Sequence, residues 1–337
     1  MMSEPSNRAT HIDGSRTASL ARDIVSGKAS TEEIKAMLAS FQREGFSAQD
    51  LLDLAVAFKQ ATVSAETSFS AVADLCGTGG GTMRTFNIST AASFVVAGCG
   101  VPVAKHGNRS NAGQTGSADV IEALGARLVM SPGRAAALLD EVGFGFFYAP
   151  TFNPAMRNAA MARRQTVGRT VFNLLGPLLN PVNAERRQLI GVCDPELLDL
   201  LPPLLEHLGI GRAMVVHGQP GIDEVSTFGT TDAVLVRGGS MERFLIDPAE
   251  LGLERPGLAE LLEQSPIRSA VTTRKALRAG SAGAIRDVVV LNAACALLVY
   301  GRASDLEQGM RLAEHAIDSG RAERRIERYI GLSRMDR

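Results

Sequence analysis

The chain has 337 residues with a formal net charge of −1, and 45% of its residues are hydrophobic. This length allows one large domain or two with a sizeable buried core, and the near-neutral charge argues against a protein that binds nucleic acid or membranes mainly by electrostatics. No apolar stretch reaches the roughly 18 residues that suggest a membrane span. The four cysteines lack metal-ligand spacing, so we expect a cytoplasmic protein with free thiols.

The first part of the chain is predicted to be helical. Residues 1–15 contain no apolar signal core and are interpreted as a disordered tail. Residues 16–68 are predicted to form an N-terminal all-helical domain, in which Ser30 starts a capping box and Ser47 caps the next helix. The Ser/Thr-rich segment 61–68 is interpreted as a linker. We expect the apolar faces of these helices to pack against each other rather than against a partner.

Beyond this segment, short apolar strands alternate with helices, which favours an α/β fold with a mostly parallel central sheet flanked by helices. The predicted strands are 71–75, 101–105, 126–130, 188–193, 213–217, 233–237 and 243–247. A helical block at about 153–180 interrupts the alternation. The larger α/β domain is therefore assigned to residues 69–152 and 181–337.

A glycine-rich loop follows the first predicted strand. Gly77, Thr78, Gly79, Gly80 and Gly81 precede a helix predicted to begin near the N-cap candidates Ser89 and Thr90. Glycine allows successive backbone N–H groups to form an anion-binding concavity, and a helix N-terminus favours anions. For this loop alone, an ordinary tight turn is an equally good interpretation. The sequence is neither a GxGxxG nor a P-loop motif.

A second polar loop strengthens the phosphate interpretation. Lys105, His106 and Asn108 follow a predicted strand, and Ser117 opens another helix. Lysine supplies a point charge for phosphate, and Ser117 supplies a second donor at a helix N-terminus. A lone histidine is usually structural, but the clustered polar setting of His106 favours a site role.

These two loops, together with segments 168–181, 221–226, 286–294 and 316–322, resemble the anthranilate phosphoribosyltransferase family, within a wider group that contains pyrimidine nucleoside phosphorylases. The resemblance covers nearly the whole chain. It implies that the helices of 153–180 pack with the N-terminal helices and that the active site lies in the cleft between the two domains. It also implies a homodimer.

The resemblance implies a glycosyltransferase (pentosyltransferase) of tryptophan biosynthesis. Such an enzyme moves the 5-phosphoribosyl group from phosphoribosyl pyrophosphate to the amine of anthranilate and releases pyrophosphate, with Mg²⁺ as cofactor. The transition state would be oxocarbenium-like, so the protein needs positioned charge rather than covalent catalysis.

The family pattern also assigns residues to each ligand. Phosphoribosyl pyrophosphate is assigned to Gly77, Thr78, Gly79, Gly80, Thr85, Asn87, Ser89, Thr90, Lys105 and Ser117. The aromatic acceptor is assigned to Gly77, His106, Asn108 and Arg163. Mg²⁺ is assigned to Ser89, Asp223 and Glu224. Without the motif, Asp223 and Glu224 would be interpreted as a solvated loop pair.

The chain departs from the family pattern at the site itself. Gly81 stands where the family has an aspartate, and Asn153 stands where it has a histidine. Ala112, Gly113 and Gln114 replace a serine pair and a lysine. These departures leave three alternatives open: a different aromatic or heterocyclic acceptor, nucleoside phosphorolysis, and a non-catalytic nucleic-acid-binding paralogue. The mixed charge around the C-terminal arginines is more typical of a solvated helix face than of a nucleic-acid surface.

Overall fold

The computed structural model describes residues 14–79, 81, 83–110, 115–263 and 265–335. Three helices come first: α1 (Gly14–Val25), α2 (Thr31–Glu44) and α3 (Ala48–Gln60). The predicted caps are confirmed, since the hydroxyl oxygens of Ser30 and Ser47 each accept the backbone N–H three residues later. The predicted disordered tail lies largely outside the described residues.

Seven strands form one sheet, in the order β3-β2-β1-β4-β5-β6-β7. They are β1 (Ala65–Gly77), β2 (Val103–Gly107), β3 (Phe144–Tyr148), β4 (Val182–Gly191), β5 (Arg212–Gly218), β6 (Thr231–Arg237) and β7 (Ser240–Ile246). The first five strands run parallel, and β6 and β7 are antiparallel additions at one edge. The predicted α/β fold with a mostly parallel sheet is therefore confirmed.

Three details of the sequence interpretation are wrong. Segment 126–130 forms neither a helix nor a strand. Its residues alternate between buried and exposed, with Ala126 and Leu128 buried, but they pair with no strand among the described residues. The sequence does not predict β3, because its continuous apolar run lacks alternation. The predicted linker 61–68 overlaps β1, whose pairing with β4 shifts register between Glu66 and Ala71.

The remaining helices cover both faces of the sheet. They are α4 (Ile88–Gly98), α5 (Ser117–Ala123), α6 (Pro132–Val142), α7 (Ala149–Phe152), α8 (Ala160–Gln165), α9 (Phe172–Leu178), α10 (Leu197–His207), α11 (Pro266–Leu277), α12 (Ala284–Tyr300), α13 (Leu306–Asp318) and α14 (Arg321–Ser333). Short 3₁₀ helices occupy Pro154–Ala159 and Leu258–Glu260. Across the described residues, we find no helix with the length and apolar character that crossing a membrane requires.

Two large apolar cores lie on opposite faces of the sheet. On one face α4 packs against α12, α13 and α14. On the other, Ile34 and Phe58 of the N-terminal helices share a core with Ala162 of α8 and Phe172 of α9. The helices between residues 153 and 180 therefore pack with the N-terminal helices and bring them against the sheet.

Candidate active site

The candidate site lies where neighbouring parallel strands end. Strands β1, β2 and β4 finish at Gly77, Gly107 and Gly191, and Gly77 is paired with Gly191. The chain leaves β1 towards β2 on one side, whereas β4 is reached from β3 at the far edge. In open α/β sheets, the crevice at such a divergence of connections is where ligands bind. Both sequence-predicted loops emerge at this edge.

An acidic pair from the β5–β6 connection joins the glycine loop to the start of α4. Oδ2 of Asp223 accepts the backbone N–H of Gly79 over 2.7 Å. Oε1 of Glu224 accepts the backbone N–H of Ser89 over 3.1 Å. The two carboxylates thus hold residues that lie more than a hundred positions away in the sequence at one point.

Close approach of Asp223 explains two of the glycines. A Cβ on Gly77 would lie 2.3 Å from Oδ2 of Asp223, and a Cβ on Gly191 would lie 1.8 Å from its carbonyl oxygen. Any side chain at either position would displace the acidic loop. Gly79 has a φ of +67°, which favours glycine for a different reason. Gly77, predicted as a ligand contact, therefore makes room for Asp223.

Lys105 supplies the buried positive charge of the site. Its Nζ donates to the carbonyl of Leu75 over 2.7 Å and to Oγ of Ser89 over 3.2 Å. Burial and the adjacent Asp223 carboxylate raise the pKa of Glu224 to about 8, while the Lys105 ammonium opposes the rise. Burial lowers the pKa of Lys105. Burial therefore pushes Glu224 and Lys105 towards their neutral forms, and an ionic ligand that compensates their charges would be favoured here.

Two buried hydroxyls of the glycine loop and α4 have no hydrogen-bond partner among the described residues, namely those of Thr78 and Thr90. Both were predicted to contact phosphate, and an anion would satisfy such donors. The predicted N-cap is wrong, because Asn87 caps α4 and the fully buried Ile88 already belongs to the helix. Ser89 and Thr90 instead lie in the first helical turn.

Two buried polar residues that hold the site were not assigned a role from the sequence. Oγ of Ser269 accepts the N–H of Asn87 over 3.1 Å and donates to its Oδ1, while Nδ2 of Asn87 donates to the carbonyl of Thr115. Asn292 accepts the N–H of Val225 over 2.9 Å and donates to its carbonyl. A polar side chain inside the apolar run of α12 was the available signal for Asn292; Ser269 gave none.

The remaining phosphate candidates lie around these contacts. Ser117 is the first residue of α5, and a Cβ on Gly107 would lie 2.1 Å from the Oγ of Ser117. Ser117 is thereby placed against the second loop. Thr85 forms an isolated bridge with Leu262 and so connects its segment to the region before α11.

His106 is buried with both ring nitrogens bonded. Nδ1 donates to the carbonyl of Gly176 over 2.9 Å, and Nε2 accepts from Nδ2 of Asn153 over 3.0 Å. A carbonyl only accepts, so this arrangement assigns the neutral tautomer with its proton on Nδ1. Burial lowers the pKa of His106 to about 4. The ring therefore connects the second loop to α9.

The other two residues assigned to the acceptor, Arg163 and Asn108, make fewer side-chain hydrogen bonds than His106. Arg163 is half-buried, its Cζ lies 5.5 Å from the ring centroid of Phe172, and no residue in the described ranges forms a hydrogen bond or ion pair with its guanidinium. Burial lowers its pKa. Asn108 is exposed, and its Oδ1 accepts the N–H of Arg109 over 2.8 Å. Arg169 donates to the carbonyl of Gly79 over 2.6 Å, a link that the sequence did not predict.

An apolar cavity of about 160 Å³ adjoins the glycine loop. It lies between α2, the segment before α9 and the start of α10. Leu38, Phe41 and Leu174 contribute apolar walls, and Thr78 and Arg169 contribute the polar ones. Part of the apolar face of α2 therefore lines a space beside the site, in addition to packing within the core.

Some predicted positions lie outside the described residues, namely Gly80 and the altered positions Ala112, Gly113 and Gln114. Gly81 is described, and a Cβ there would lie 3.0 Å from Sγ of Cys193. The described residues contain no cluster of three or more His, Cys, Asp and Glu side chains that could hold a metal ion. Two carboxylates with phosphate oxygens from a ligand would suit Mg²⁺, which binds in this way.

Comparison with known sequences shows similarity along nearly the whole chain. Residues 70–323 match the protein family described as "Glycosyl transferase family, a/b domain". A Moorella thermoacetica protein named anthranilate phosphoribosyltransferase is 42% identical over 320 residues, covering 95% of this chain and 94% of the relative. Anthranilate phosphoribosyltransferase 2 of Streptomyces coelicolor is 44% identical over 312 residues, covering 93% and 92%.

Solved structures share the fold. Anthranilate phosphoribosyltransferase from Thermus thermophilus superposes with a TM-score of 0.90 at 34% identity, covering 97% of each chain. The Saccharomyces cerevisiae protein of the same name, solved in complex with PRPP and Mg, has a TM-score of 0.86 at 24% identity, covering 95% of this chain and 93% of that one. At 24% identity, the similarity to the Saccharomyces cerevisiae structure supports a shared fold and nothing further.

Proposed function

The chain belongs to the anthranilate phosphoribosyltransferase family, and we propose that it transfers the 5-phosphoribosyl group of phosphoribosyl pyrophosphate to the amine of anthranilate, releasing pyrophosphate. One observation carries this proposal. The Asp223 and Glu224 carboxylates bind the backbone of Gly79 and Ser89, which brings the acidic motif, the glycine loop and a helix N-terminus together. That combination suits a diphosphate with its metal ion.

The phosphate side of the reaction is assigned to the first loop and its neighbours. The buried hydroxyls of Thr78 and Thr90 and the Lys105 ammonium are donors for phosphate oxygens. Gly77, Gly79, Gly80, Thr85, Asn87 and Ser117 complete the proposed phosphoribosyl pyrophosphate site. Hydrogen bonds to other parts of the protein hold Lys105 and Asn87, so these groups would stabilise the negative charge that develops on the departing pyrophosphate without reorganising.

Mg²⁺ is the proposed cofactor, and the residues present fit it. Asp223, Glu224 and the Ser89 hydroxyl are hard oxygen donors of the kind this ion prefers. Burial disfavours the charge on Glu224, and a divalent cation would compensate it. When bound, Mg²⁺ would neutralise part of the diphosphate charge. The protein's own contribution is to hold the two carboxylates against the backbone of Gly79 and Ser89.

The acceptor side is assigned to Arg163, Asn108, Gly77 and His106. A guanidinium can bind a carboxylate through two parallel hydrogen bonds, and Arg163 has no competing acceptor among the described residues. The face of Phe172 supports its plane. Since both ring nitrogens of His106 are occupied, we propose that it acts by holding the second loop.

A different aromatic or heterocyclic acceptor is the second candidate. It is favoured by Gly81, which lacks the family's carboxylate and lies against Cys193, and by Asn153 in place of the family's histidine. Nucleic-acid binding is not favoured. Arg324, Arg325 and Arg334 of the C-terminal region each donate to a backbone carbonyl, and acidic residues lie among the arginines of this region.

We further propose a cytoplasmic homodimer whose site lies between an N-terminal helical domain (16–68 with the helices of 153–180) and the α/β domain (69–152 and 181–337). The shared core of the helices from both segments supports this division. Light scattering coupled to size-exclusion chromatography tests the dimer: a single species at twice 35.6 kDa is expected.

The test of the proposed reaction is pyrophosphate release with phosphoribosyl pyrophosphate and Mg²⁺, with and without anthranilate. Release that depends on anthranilate, matched by loss of its fluorescence, is expected. Release with another acceptor alone would favour the second candidate. Arg163→Lys should raise the KM for anthranilate, whereas the matched control Arg164→Lys, at an exposed position, should leave it unchanged.

A further inference from the structure

A second cavity, polar and of about 260 Å³, lies at the opposite edge of the sheet from the candidate active site. It opens where β1 and β4 begin, and its walls include Lys59, Arg186, Asn183 and Gly209. Arg186 precedes the β4 terminus at Gly191 by five residues, which corresponds to about 17 Å along a strand. We call it the Lys59–Arg186 cavity.

The cations in its walls donate hydrogen bonds to backbone carbonyls. Arg186 is 7% exposed, and its Nη1 donates to the carbonyl of Leu178 over 3.1 Å. Nζ of Lys59 donates to the carbonyl of Asn180 over 2.6 Å. Within the described ranges, neither side chain forms an ion pair with a carboxylate. A buried cation such as Arg186 whose charge is only partly compensated is unfavourable, and a bound anion would relieve that penalty.

Nearby acids compensate this charge only in part. Asp74, which is buried, accepts a hydrogen bond from Nε2 of Gln188 over 3.2 Å and does not line the cavity. Burial raises the pKa of Asp74 to about 6, although Arg186 opposes the rise. Glu66 is exposed and is bound to Asn183 and Ser64. One buried carboxylate therefore faces two cations.

We propose that the Lys59–Arg186 cavity binds a small oxyanion, a phosphate or a carboxylate, at a site separate from the phosphoribosyl pyrophosphate site. A guanidinium offers several N–H donors in one plane, and an ammonium adds a compact point charge, which is the combination that recognises such groups. The volume accommodates an ion of this size together with water. The proposal stands independently of the reaction at the other edge of the sheet.

The test is calorimetric titration of the full chain with inorganic phosphate, at ionic strength held constant with chloride. Lys59→Gln should weaken one binding event by about ten-fold or more, as expected for losing a charge-assisted hydrogen bond. Lys59→Arg should restore it. Arg187→Gln is the matched control, because Arg187 follows Arg186 on β4 but pairs with Glu185 outside the cavity. Equal phosphate affinity in the wild type and Lys59→Gln would overturn the proposal.

A crystal soaked in phosphate locates the ion directly. Density between Lys59 and Arg186 is expected, and density confined to the glycine loop would contradict the proposal. A parallel acetate titration identifies the source: a response to acetate at the same residues indicates carboxylates, and a response to phosphate alone indicates tetrahedral anions. Arg186→Gln is a second variant, and its folding is checked by its unfolding temperature. The absence of both responses would overturn the proposal.

Discussion

Asn153 donates a hydrogen bond from Nδ2 to Nε2 of His106 over 3.0 Å. Oδ1 of the same amide accepts from the Thr62 hydroxyl over 2.7 Å, and Nδ1 of His106 donates to Gly176. A buried chain of hydrogen bonds therefore runs from the end of the N-terminal helices to the second loop of the site. The departure of Asn153 from the family pattern is accommodated by a fully bonded neutral imidazole.

Replacing this amide with a carboxylate should protonate the histidine. In Asn153→Asp, the negative charge beside Nε2 would favour the imidazolium, so we expect the pKa of His106 to rise from about 4 towards neutrality. Nitrogen NMR of the imidazole rings measures this change. The resonances of His207 and His217 should stay in place. An unchanged His106 titration would contradict the hydrogen-bond assignment.

Neutralising the acidic pair should separate activity from stability. Asp223→Asn with Glu224→Gln should lower Mg²⁺-dependent turnover by about 100-fold or more, since preorganised charge is lost. The unfolding temperature should not fall, because burial already disfavours the charge on Glu224. Kinetics and calorimetry measure the two effects. Asp232→Asn, on β6, is the control. Full activity in the double variant would remove the pair from the metal site.

Adding a methyl group at the end of β1 should disturb the metal site by displacing Asp223, without replacing any proposed metal ligand. In Gly77→Ala the new Cβ would lie 2.3 Å from Oδ2 of Asp223, so the carboxylate must move. We expect turnover to fall by about 100-fold, the usual consequence of a misplacement near 1 Å, and the Mg²⁺ dependence to weaken. Gly133→Ala is the matched control, because nothing lies within 4 Å of its Cβ. Equal kinetics in the two variants would refute the packing argument.

Restoring the family's carboxylate should increase the anthranilate reaction. Gly81→Asp places its Cβ 3.0 Å from Sγ of Cys193, so the thiol must shift by a few tenths of an ångström. The double variant with Cys193→Ala removes that contact and should be the more active of the two. Cys193→Ala alone serves as the control. Turnover numbers with anthranilate provide the measurement, and no gain in either variant would point to another acceptor.

Burial of Asp74 should make stability depend on pH. Its pKa rises from 3.8 to about 6 on folding, so between these values the folded state binds more protons than the unfolded state. The free energy of unfolding should therefore fall as pH rises from about 4 to about 6, by up to about 3 kcal/mol. Urea unfolding across this range measures it. Asp74→Asn should lack this component, and a difference between the two proteins that is constant with pH would contradict the assignment.

Local signals predicted much of the fold. The capping residues Ser30 and Ser47 bond to backbone groups only three residues away, so their pattern is readable from the sequence. The prediction of a strand at 126–130 was wrong because an alternation of apolar and polar residues indicates that one face is buried, and it does not show that a neighbouring strand is present. The strand β3 was missed because it is buried on both faces and therefore shows no alternation of apolar and polar residues.

The sequence by itself determined the α/β fold class and the two polar loops, because each is a short pattern with local physical meaning, whereas the acidic pair was singled out only by its resemblance to the family motif. Only the tertiary structure decided that Gly77 makes room for Asp223, that Ser269 fixes Asn87 and that His106 is fully bonded. These relationships join segments that are distant in the chain, and their energies depend on distances and burial that arise only when the sheet brings the strand ends together.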